Sequence, residues 1–188
     1  SPDKLIWATW DQSDNSIASV TSSNALPVGS WVHCIGTWDG STTSNAYKLY
    51  VNNSTSDGAQ GTASNTNDLN NDAAAELTIG ADKLSDGNYL TGKVDEGAIW
   101  NVALDADAVA AVYNSGKPFD LNYDRGNYDA FTDKLVGYWR MGNGAFDDIA
   151  GGAVHDQNNP GLGAQIFNNN NFNTASTSIA SGGWDLGN

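Results

Sequence analysis

Residues 92–114 constrain the fold more than any other segment, because a strand in them leads directly into a capped helix. The first half of the segment alternates between apolar and polar residues, as a strand with one buried face does. A helix is predicted over residues 105–114, since the Asp105 side chain can accept from free N–H groups of the first turn. Gly116 can adopt the left-handed conformation that ends a helix, and Pro118 prevents continuation.

The rest of the chain is typical of short strands joined by polar turns rich in Gly, Asn, Asp and Ser. The predicted strands are Leu5–Trp10, Ile17–Thr21, Trp31–Trp38, Tyr47–Val51, Glu76–Ala81, Tyr89–Val102 (as one strand or two) and Leu135–Gly144. Residues 53–75 are almost wholly small and polar, so we predict a long loop there. The predicted fold class is all-β: an antiparallel, jelly-roll-like β-sandwich with one short helix and an extended C-terminal segment.

Composition changes after Pro118, which suggests two regions. We predict a sandwich over residues 1–118, and a linker, an added strand and an extended Asn- and Gly-rich tail over residues 119–188. The tail is expected to be held by another chain. Since no initiator Met or signal peptide is visible, we expect a processed product or part of a longer polypeptide.

Charge and cysteine usage exclude some functions. The net charge of −14, with eight Lys and Arg in total, repels phosphate backbones, so no nucleic-acid partner is expected. No apolar run is long enough to insert into a membrane. Cys34 is the single cysteine, which excludes an internal disulfide, and its place in an apolar strand predicts a buried, inert thiol.

Four pieces of the sequence carry a family resemblance. They are SWVHCIGTWDG (30–40), YKLYVNN (47–53), ELTIGA (76–81) and GKVDEGAIWNVALDADAVAAVYNSGKP (92–118). In this order and spacing, residues 5–118 resemble the laminin-G-like, concanavalin-A-like lectin/glucanase β-sandwich family. The resemblance implies recognition or structural roles, and its opening strands are missing before Leu5. A second module-like start near residues 135–157 contains LVGYWRMGNG, which is similar to virion proteins of marine bacteriophages.

The resemblance also implies a calcium site, since such modules bind Ca²⁺ at a sandwich rim. The candidate ligands are Asp39 at a strand end, Asp57 in the long loop and Asp95 before the helix. Calcium takes six to eight oxygen ligands, so several loops would have to converge. The nearest contiguous cluster, residues 11–15, is too loose for a calcium loop. The alternative is that Asp39 caps a turn and Asp95 bonds to Lys93 or to backbone N–H groups.

A carbohydrate site is predicted from exposed aromatic and amide side chains. A sugar stacks its apolar face on an aromatic ring and bonds its hydroxyls through Asn or Asp. Trp10 or Tyr89 would supply the ring, with Asp86 and Asn88 alongside. By contrast, Trp31, Trp38 and Trp100 are predicted to lie in the core.

Catalytic patterns are weak in this sequence. A glycosidase holds two carboxylates at a fixed separation. Asp95 and Glu96 are adjacent and therefore point to opposite faces of a strand. His33 has no obvious Ser or Cys partner, so we predict a hydrogen-bonded structural histidine. The chain is therefore predicted not to be an enzyme.

The predicted function is a non-enzymatic virion structural or adhesion protein, such as a fibre, decoration or attachment component. Its expected partners are other virion or surface subunits, in a homo-oligomer, and a cell-surface glycan. The expected location is the virion surface or the extracellular space. The alternative is a calcium-dependent carbohydrate-binding module of a secreted bacterial protein, and a glycosidase is a remote third.

Overall fold

A computed structural model gives the fold of the chain, whose contacts form two compact units. It describes residues 3–11, 13, 15–67, 77–80, 89–131, 133–141 and 157, and the backbone of 154–155, 163–166, 178–180 and 183–185. Unit 1 comprises residues 1–73 and 102–133, and unit 2 comprises residues 74–101 and 134–188. These units reflect contacts within the folded chain, and the domain division at residue 118 stays a prediction.

Unit 1 begins with a β-hairpin. Strand β1 (Ile6–Trp10) pairs antiparallel with β2 (Ser16–Thr21), with Trp7 opposite Val20 and a register shift just before Trp10. Because side chains alternate along a strand, Trp7 and Val20 turn towards the core while Ile6 and Trp10 point outwards. The hairpin therefore has one buried and one exposed face.

A three-stranded antiparallel sheet forms the second layer of unit 1. It contains β3 (Cys34–Trp38), β4 (Tyr47–Val51) and β5 (Ser54–Gly61), with β4 in the centre. Strands β4 and β5 are joined by two residues, Asn52 and Asn53, whose φ angles are 48° and 66°. Positive φ at both central residues is the requirement of a type I′ hairpin turn, and Asn tolerates it well.

The core of unit 1 lies between the hairpin and the sheet. Tyr47 and Leu49 of β4 are fully buried against apolar residues of β2. The indole of Trp7 stacks on the Tyr47 ring, with centroids 5.4 Å apart and planes inclined by 14°. A Cβ at Gly36 would lie 2.4 Å from Cδ2 of Trp7, so the indole lies directly on the β3 backbone. Glycine at position 36 therefore permits this close packing.

Helix α1 (Ala106–Tyr113) confirms the predicted helix and its cap. The Asp105 carboxylate accepts a hydrogen bond from the Ala108 N–H at 2.8 Å. The helix ends at Asn114, which has φ 45° and ψ 40°, and a 3₁₀ turn follows up to Gly116. The predicted left-handed conformation of Gly116 is confirmed by its φ of 75°, and Asn114 adopts the left-handed conformation as well.

The strands of unit 2 are short. They are β6 (Thr78–Ile79), β7 (Gly97–Trp100), β8 (Leu135–Trp139), β9 (Val154–His155), β10 (Gly163–Ile166), β11 (Ser178–Ala180) and β12 (Gly183–Asp185). Antiparallel pairs join β7 to β8, β9 to β10 and β11 to β12, whereas β6 and β10 pair in parallel. The strands predicted over 89–102 and 135–144 are thus shorter than expected.

Three predictions about unit 1 were wrong. Residues 54–61, predicted as part of a loop, form β5. Trp31 was predicted to lie in the core, but it is 66% exposed and precedes the strand, which begins at Cys34. The Cys34 thiol is exposed, because the alternation of β3 buries Ile35 and turns its neighbours the other way.

The predicted fold class is confirmed: the chain is an all-β sandwich protein whose strands pair mostly antiparallel, and its described residues contain one short α-helix. The extended C-terminal tail falls mostly outside the described residues. Within the described ranges, no helix has the length and apolar character needed to cross a membrane.

Candidate functional site

The three aspartates predicted as calcium ligands each bond to groups of the protein. Asp39 accepts from the Ser41 N–H at 2.8 Å, and the hydroxyl and amide of Ser41 lower the Asp39 pKa. Asp57 lies in β5, not in a loop, and accepts from Asn24 Nδ2 at 3.1 Å. Asp95 accepts from the next backbone N–H at 3.0 Å, as the alternative for that residue anticipated.

Calcium binding stays a prediction. In the part of the chain that the structure describes, no three His, Cys, Asp or Glu side chains lie close enough together to hold a metal ion. A calcium site in those ranges would therefore need backbone carbonyls and waters for most of its ligands.

Asp11 is 4% exposed, and both oxygens of its carboxylate accept hydrogen bonds from the protein. Its Oδ1 accepts from the N–H groups of Ser13 and Asn15, both at 2.9 Å, and its Oδ2 accepts from Asn67 Nδ2 at 3.0 Å. The Asn67 bond contributes most to lowering the pKa of Asp11 to about 2. Asp11 thus ties the hairpin turn to Asn67 and has a structural role.

The predicted carbohydrate residues are only partly described. Trp10 and Tyr89 are each 50% exposed, so either ring is accessible to a sugar. Trp10 belongs to unit 1 and Tyr89 to unit 2. Asp86 and Asn88 lie outside the described residues. Stacking of a sugar on Trp10 or Tyr89 stays a prediction.

Glu96, in unit 2, is a largely buried acid with a left-handed backbone. It has a φ of 55°, which is strained for a residue with a Cβ. Its carboxylate accepts from the Tyr138 hydroxyl and from Arg140 Nε, the latter at 3.3 Å. Burial raises the Glu96 pKa, and these two partners oppose that rise. Directly before β7 begins, both carboxylate oxygens of Glu96 thus bond to residues at the end of β8. This arrangement favours a structural role for the Glu96–Arg140 ion pair over a catalytic one.

His33 differs from its prediction as a hydrogen-bonded histidine. Its ring lies against Tyr113, with centroids 5.4 Å apart, and its buried Nδ1 has no hydrogen-bond partner among the described residues. Burial accordingly lowers the His33 pKa. The neutral ring therefore packs against the last residue of α1.

A groove of about 640 Å³ opens at the C-terminal end of α1, and we call it the helix-end groove. Its apolar lining comes from Ala110, Ala111 and Tyr113 of the helix. Its polar lining comes chiefly from Asn53, Asn114, Ser115 and Arg125. All of these residues belong to unit 1.

Left-handed backbone is concentrated around the helix-end groove. The φ angles are 66° at Asn53, 45° at Asn114, 56° at Ser115 and 56° at Gly126. Such conformations cost free energy in residues other than Gly, and they cluster at binding sites. The turn after β4 and the end of α1 thus present their side chains to the same groove.

Arg125 is firmly held at the helix-end groove. Its Nη2 donates to Asn114 Oδ1 at 2.7 Å, and its guanidinium carbon lies 5.3 Å from the Phe119 ring centroid. Its backbone N–H and C=O both bond to Tyr128 at 2.9 Å. Tyr128 is itself buried and donates its hydroxyl to Leu121 O at 2.9 Å.

The sequence predictions missed the helix-end groove. The sequence does contain one signal for it, which is the presence of Arg125 in an acidic chain. The chain has only two arginines, in an excess of acid. Arg140 pairs with Glu96. Within the described ranges Arg125 forms no ion pair with a carboxylate. In so acidic a chain, an arginine that forms no ion pair with the described carboxylates is a candidate ligand-binding residue.

The comparisons with known proteins identify a family. No curated protein and no solved structure matches the chain. A model of the concanavalin A-like lectin/glucanases superfamily, of the laminin-G type, matches residues 1–110, more than half of the chain. That family supports a carbohydrate-binding or adhesion-type module. The chain belongs to the laminin-G-like family of the concanavalin A-like lectin/glucanases superfamily.

Proposed function

We propose that this chain is a non-enzymatic adhesion module that binds carbohydrate at the surface of a virion, as part of a fibre, decoration or attachment component. The helix-end groove carries the carbohydrate part of the proposal. It combines an apolar alanine and tyrosine surface with convergent amide, hydroxyl and guanidinium groups. Sugars need such a mixture, because their C–H faces pack on apolar groups while their hydroxyls accept and donate hydrogen bonds.

Two polar groups in the groove are open to a ligand. Within the described part of the chain, the Asn53 amide and the Ser115 hydroxyl make no hydrogen bond to the protein. Both residues have positive φ, at which Gly would be less strained. Gly would satisfy the backbone at both positions, so the Asn53 amide and the Ser115 hydroxyl are available to bind a ligand.

Groove variants test the carbohydrate proposal. The purified chain is screened on a glycan array, and the best saccharide is titrated by calorimetry. Asn53→Gly and Ser115→Gly preserve the left-handed backbone and remove one hydrogen-bonding side chain each. Each is expected to raise Kd roughly three- to tenfold, the value of one net hydrogen bond.

Asn45→Gly is the matched control, since Asn45 has a φ of 59° and precedes β4, whereas Asn53 follows it. We expect the Asn45 variant to bind like the parent chain. An array without any bound saccharide, or equal Kd values for all variants, would contradict the proposal.

Exposed apolar residues favour a subunit of a larger assembly. In the described part of the chain, β1 pairs only with β2, and its outward face exposes Ile6 by 61% and Trp10 by 50%. An edge strand with exposed apolar side chains is a common place for another chain to associate. We therefore propose a homo-oligomer in contact with other surface subunits. Mass photometry giving a monomer at every concentration would contradict it.

The virion setting rests on the likeness of residues 135–144 to marine bacteriophage virion proteins. Flanking genes for capsid and tail proteins would support it, whereas flanking genes for secreted polysaccharide-degrading enzymes would favour a bacterial carbohydrate-binding module. The latter module would use calcium, and the same calorimetry tests this. A calcium-dependent module loses saccharide binding in EDTA and regains it when Ca²⁺ is restored.

A further inference from the structure

We infer that the helix-end groove selects saccharides that bear a carboxylate, and that Arg125 recognises that carboxylate. The inference rests on the proposed carbohydrate function and adds the class of ligand. A uronic acid residue within or at the end of a glycan is the ligand that fits it.

The first support is the unused hydrogen-bonding capacity of Arg125. A guanidinium has five N–H donors in a planar fork that matches two oxygens of a carboxylate. In the described structure, one side-chain donor of Arg125 bonds to Asn114, and no carboxylate pairs with the group. The adjacent acid, Asp124, instead accepts from the Ala130 N–H at 3.0 Å. Arg125 can therefore bind an external carboxylate without breaking an internal ion pair.

The second support is that Arg125 is already positioned. The Asn114 amide oxygen fixes one arm of the guanidinium, and Phe119 lies under it. Asn114 is held in turn, since its Nδ2 donates to Lys117 O at 2.7 Å. An arginine that is fixed before binding loses less side-chain entropy when a ligand arrives.

The third support is the placement of neutral groups beside the cation. The Asn53 amide and the Ser115 hydroxyl suit the hydroxyls of a pyranose ring, and Ala110 and Ala111 suit its C–H face. The groove lies at the C-terminal end of α1, where the helix dipole is negative. The chain as a whole has a charge of −14. A ligand with a single charge at Arg125 and neutral groups elsewhere is therefore favoured over a polyanion.

The test compares two probes that differ only in the oxidation of one carbon. A glucuronic-acid-terminated oligosaccharide and its glucose-terminated counterpart are titrated against the full chain by calorimetry. The parent chain is expected to bind the acidic probe roughly ten- to a hundredfold more tightly, as one charged hydrogen-bonded pair provides. The ratio should fall as salt is added.

Arg125 variants assign the preference. Arg125→Gln removes the charge and is expected to bring the two probes to similar Kd values, with little change for the neutral probe. Arg125→Lys keeps the charge but loses the planar fork, so an intermediate ratio is expected. Lys93→Gln removes one exposed positive charge that does not line the groove and should leave the ratio unchanged. Melting temperatures of all variants show whether each is folded.

The outcomes distinguish the carboxylate inference from the carbohydrate function on which it rests. Equal binding of the two probes by the parent chain overturns the inference and leaves the carbohydrate function intact. A preference that survives in a folded Arg125→Gln variant also overturns it, because the carboxylate is then recognised elsewhere. A sulfated counterpart that binds as tightly as the uronate contradicts carboxylate selection. Binding of neither probe, together with an empty glycan array, removes both proposals.

Discussion

The contact between Trp7 and Gly36 predicts a large effect from a single added methyl group. In Gly36→Ala, the new Cβ would lie 2.4 Å from Trp7 Cδ2 and 2.7 Å from Cε2. Carbon atoms prefer a separation of about 3.5 Å or more, so the indole has to retreat by about 1 Å. That movement disturbs its stacking on the fully buried Tyr47 ring.

The expected magnitude follows from these contacts. Overpacking costs about 1–3 kcal/mol, and a weakened aromatic pair costs up to about 1 kcal/mol more. The lower backbone entropy of Ala in the unfolded state offsets about 0.5–1 kcal/mol of this. Gly36→Ala should therefore lower the free energy of unfolding by about 1–3 kcal/mol. The corresponding fall in Tm is about 2–4 °C for each kcal/mol in a chain of this length.

Urea unfolding followed by circular dichroism measures this effect, and a double-mutant cycle identifies its cause. In a Trp7→Val background the clash is absent, so the Gly36→Ala change should cost less than about 1 kcal/mol. Gly92→Ala is the control, because its added Cβ would lie 3.7 Å from the nearest atom of Leu90, an ordinary contact. An equal cost of Gly36→Ala in both backgrounds would refute the packing argument.

Three further predictions concern single groups. Asp105→Ala removes the cap of α1 and should lower the free energy of unfolding by about 1 kcal/mol in urea, whereas Asp105→Asn should retain most of it. Tyr138→Phe removes the hydroxyl that donates to Glu96 and should cost about 1–2 kcal/mol in the same assay, and a fully stable variant would contradict the role of that bond. The Asp11 pKa is about 2 in the folded chain against an ordinary 3.8, so its stabilising contribution is complete above pH 3.8 and is lost as the pH falls towards 2. Thermal melts across this pH range should show a smaller loss for Asp11→Asn than for the parent chain.

Local signals in the sequence were sufficient where one residue type determines the conformation. Asp105 before an apolar stripe predicted the beginning of α1, and the structure has that cap. Alternation over residues 47–51 predicted β4, whose Tyr47 and Leu49 are buried on one face. In these cases the local pattern and the tertiary packing favour the same structure.

Strand β5 could not be predicted from hydrophobic periodicity. It consists of Ser, Thr, Asp, Gly, Ala and Gln residues, and only Gly58 among them is buried. Its backbone pairs with β4, and this pairing requires no apolar side chains. The signal that was present is the Asn52–Asn53 turn, because a two-residue turn with positive φ at both positions returns the chain as a hairpin.

The exposure of Trp31 and Cys34 depends on register, which alternation alone does not fix. A shift of one residue exchanges the buried and exposed faces of a strand. In β3 the close contact of Trp7 with Gly36 is compatible with one register only, since a side chain at that position would collide. An isolated Gly in a strand signals such an approach, but it does not name the residue that approaches.

The helix-end groove could not be predicted because its parts come from distant segments and from turns. Asn53 follows β4, Ser115 follows α1, and Arg125 lies in an aperiodic segment. Asn53 and Ser115 share a left-handed backbone, which is visible only in the folded structure and in which Gly would be less strained. Backbone strain of this kind clusters at binding sites. Within the described residues, Arg125 forms no ion pair with a carboxylate and lies beside these two positions. We therefore infer a ligand whose carboxylate binds Arg125 and whose hydroxyls bind Asn53 and Ser115.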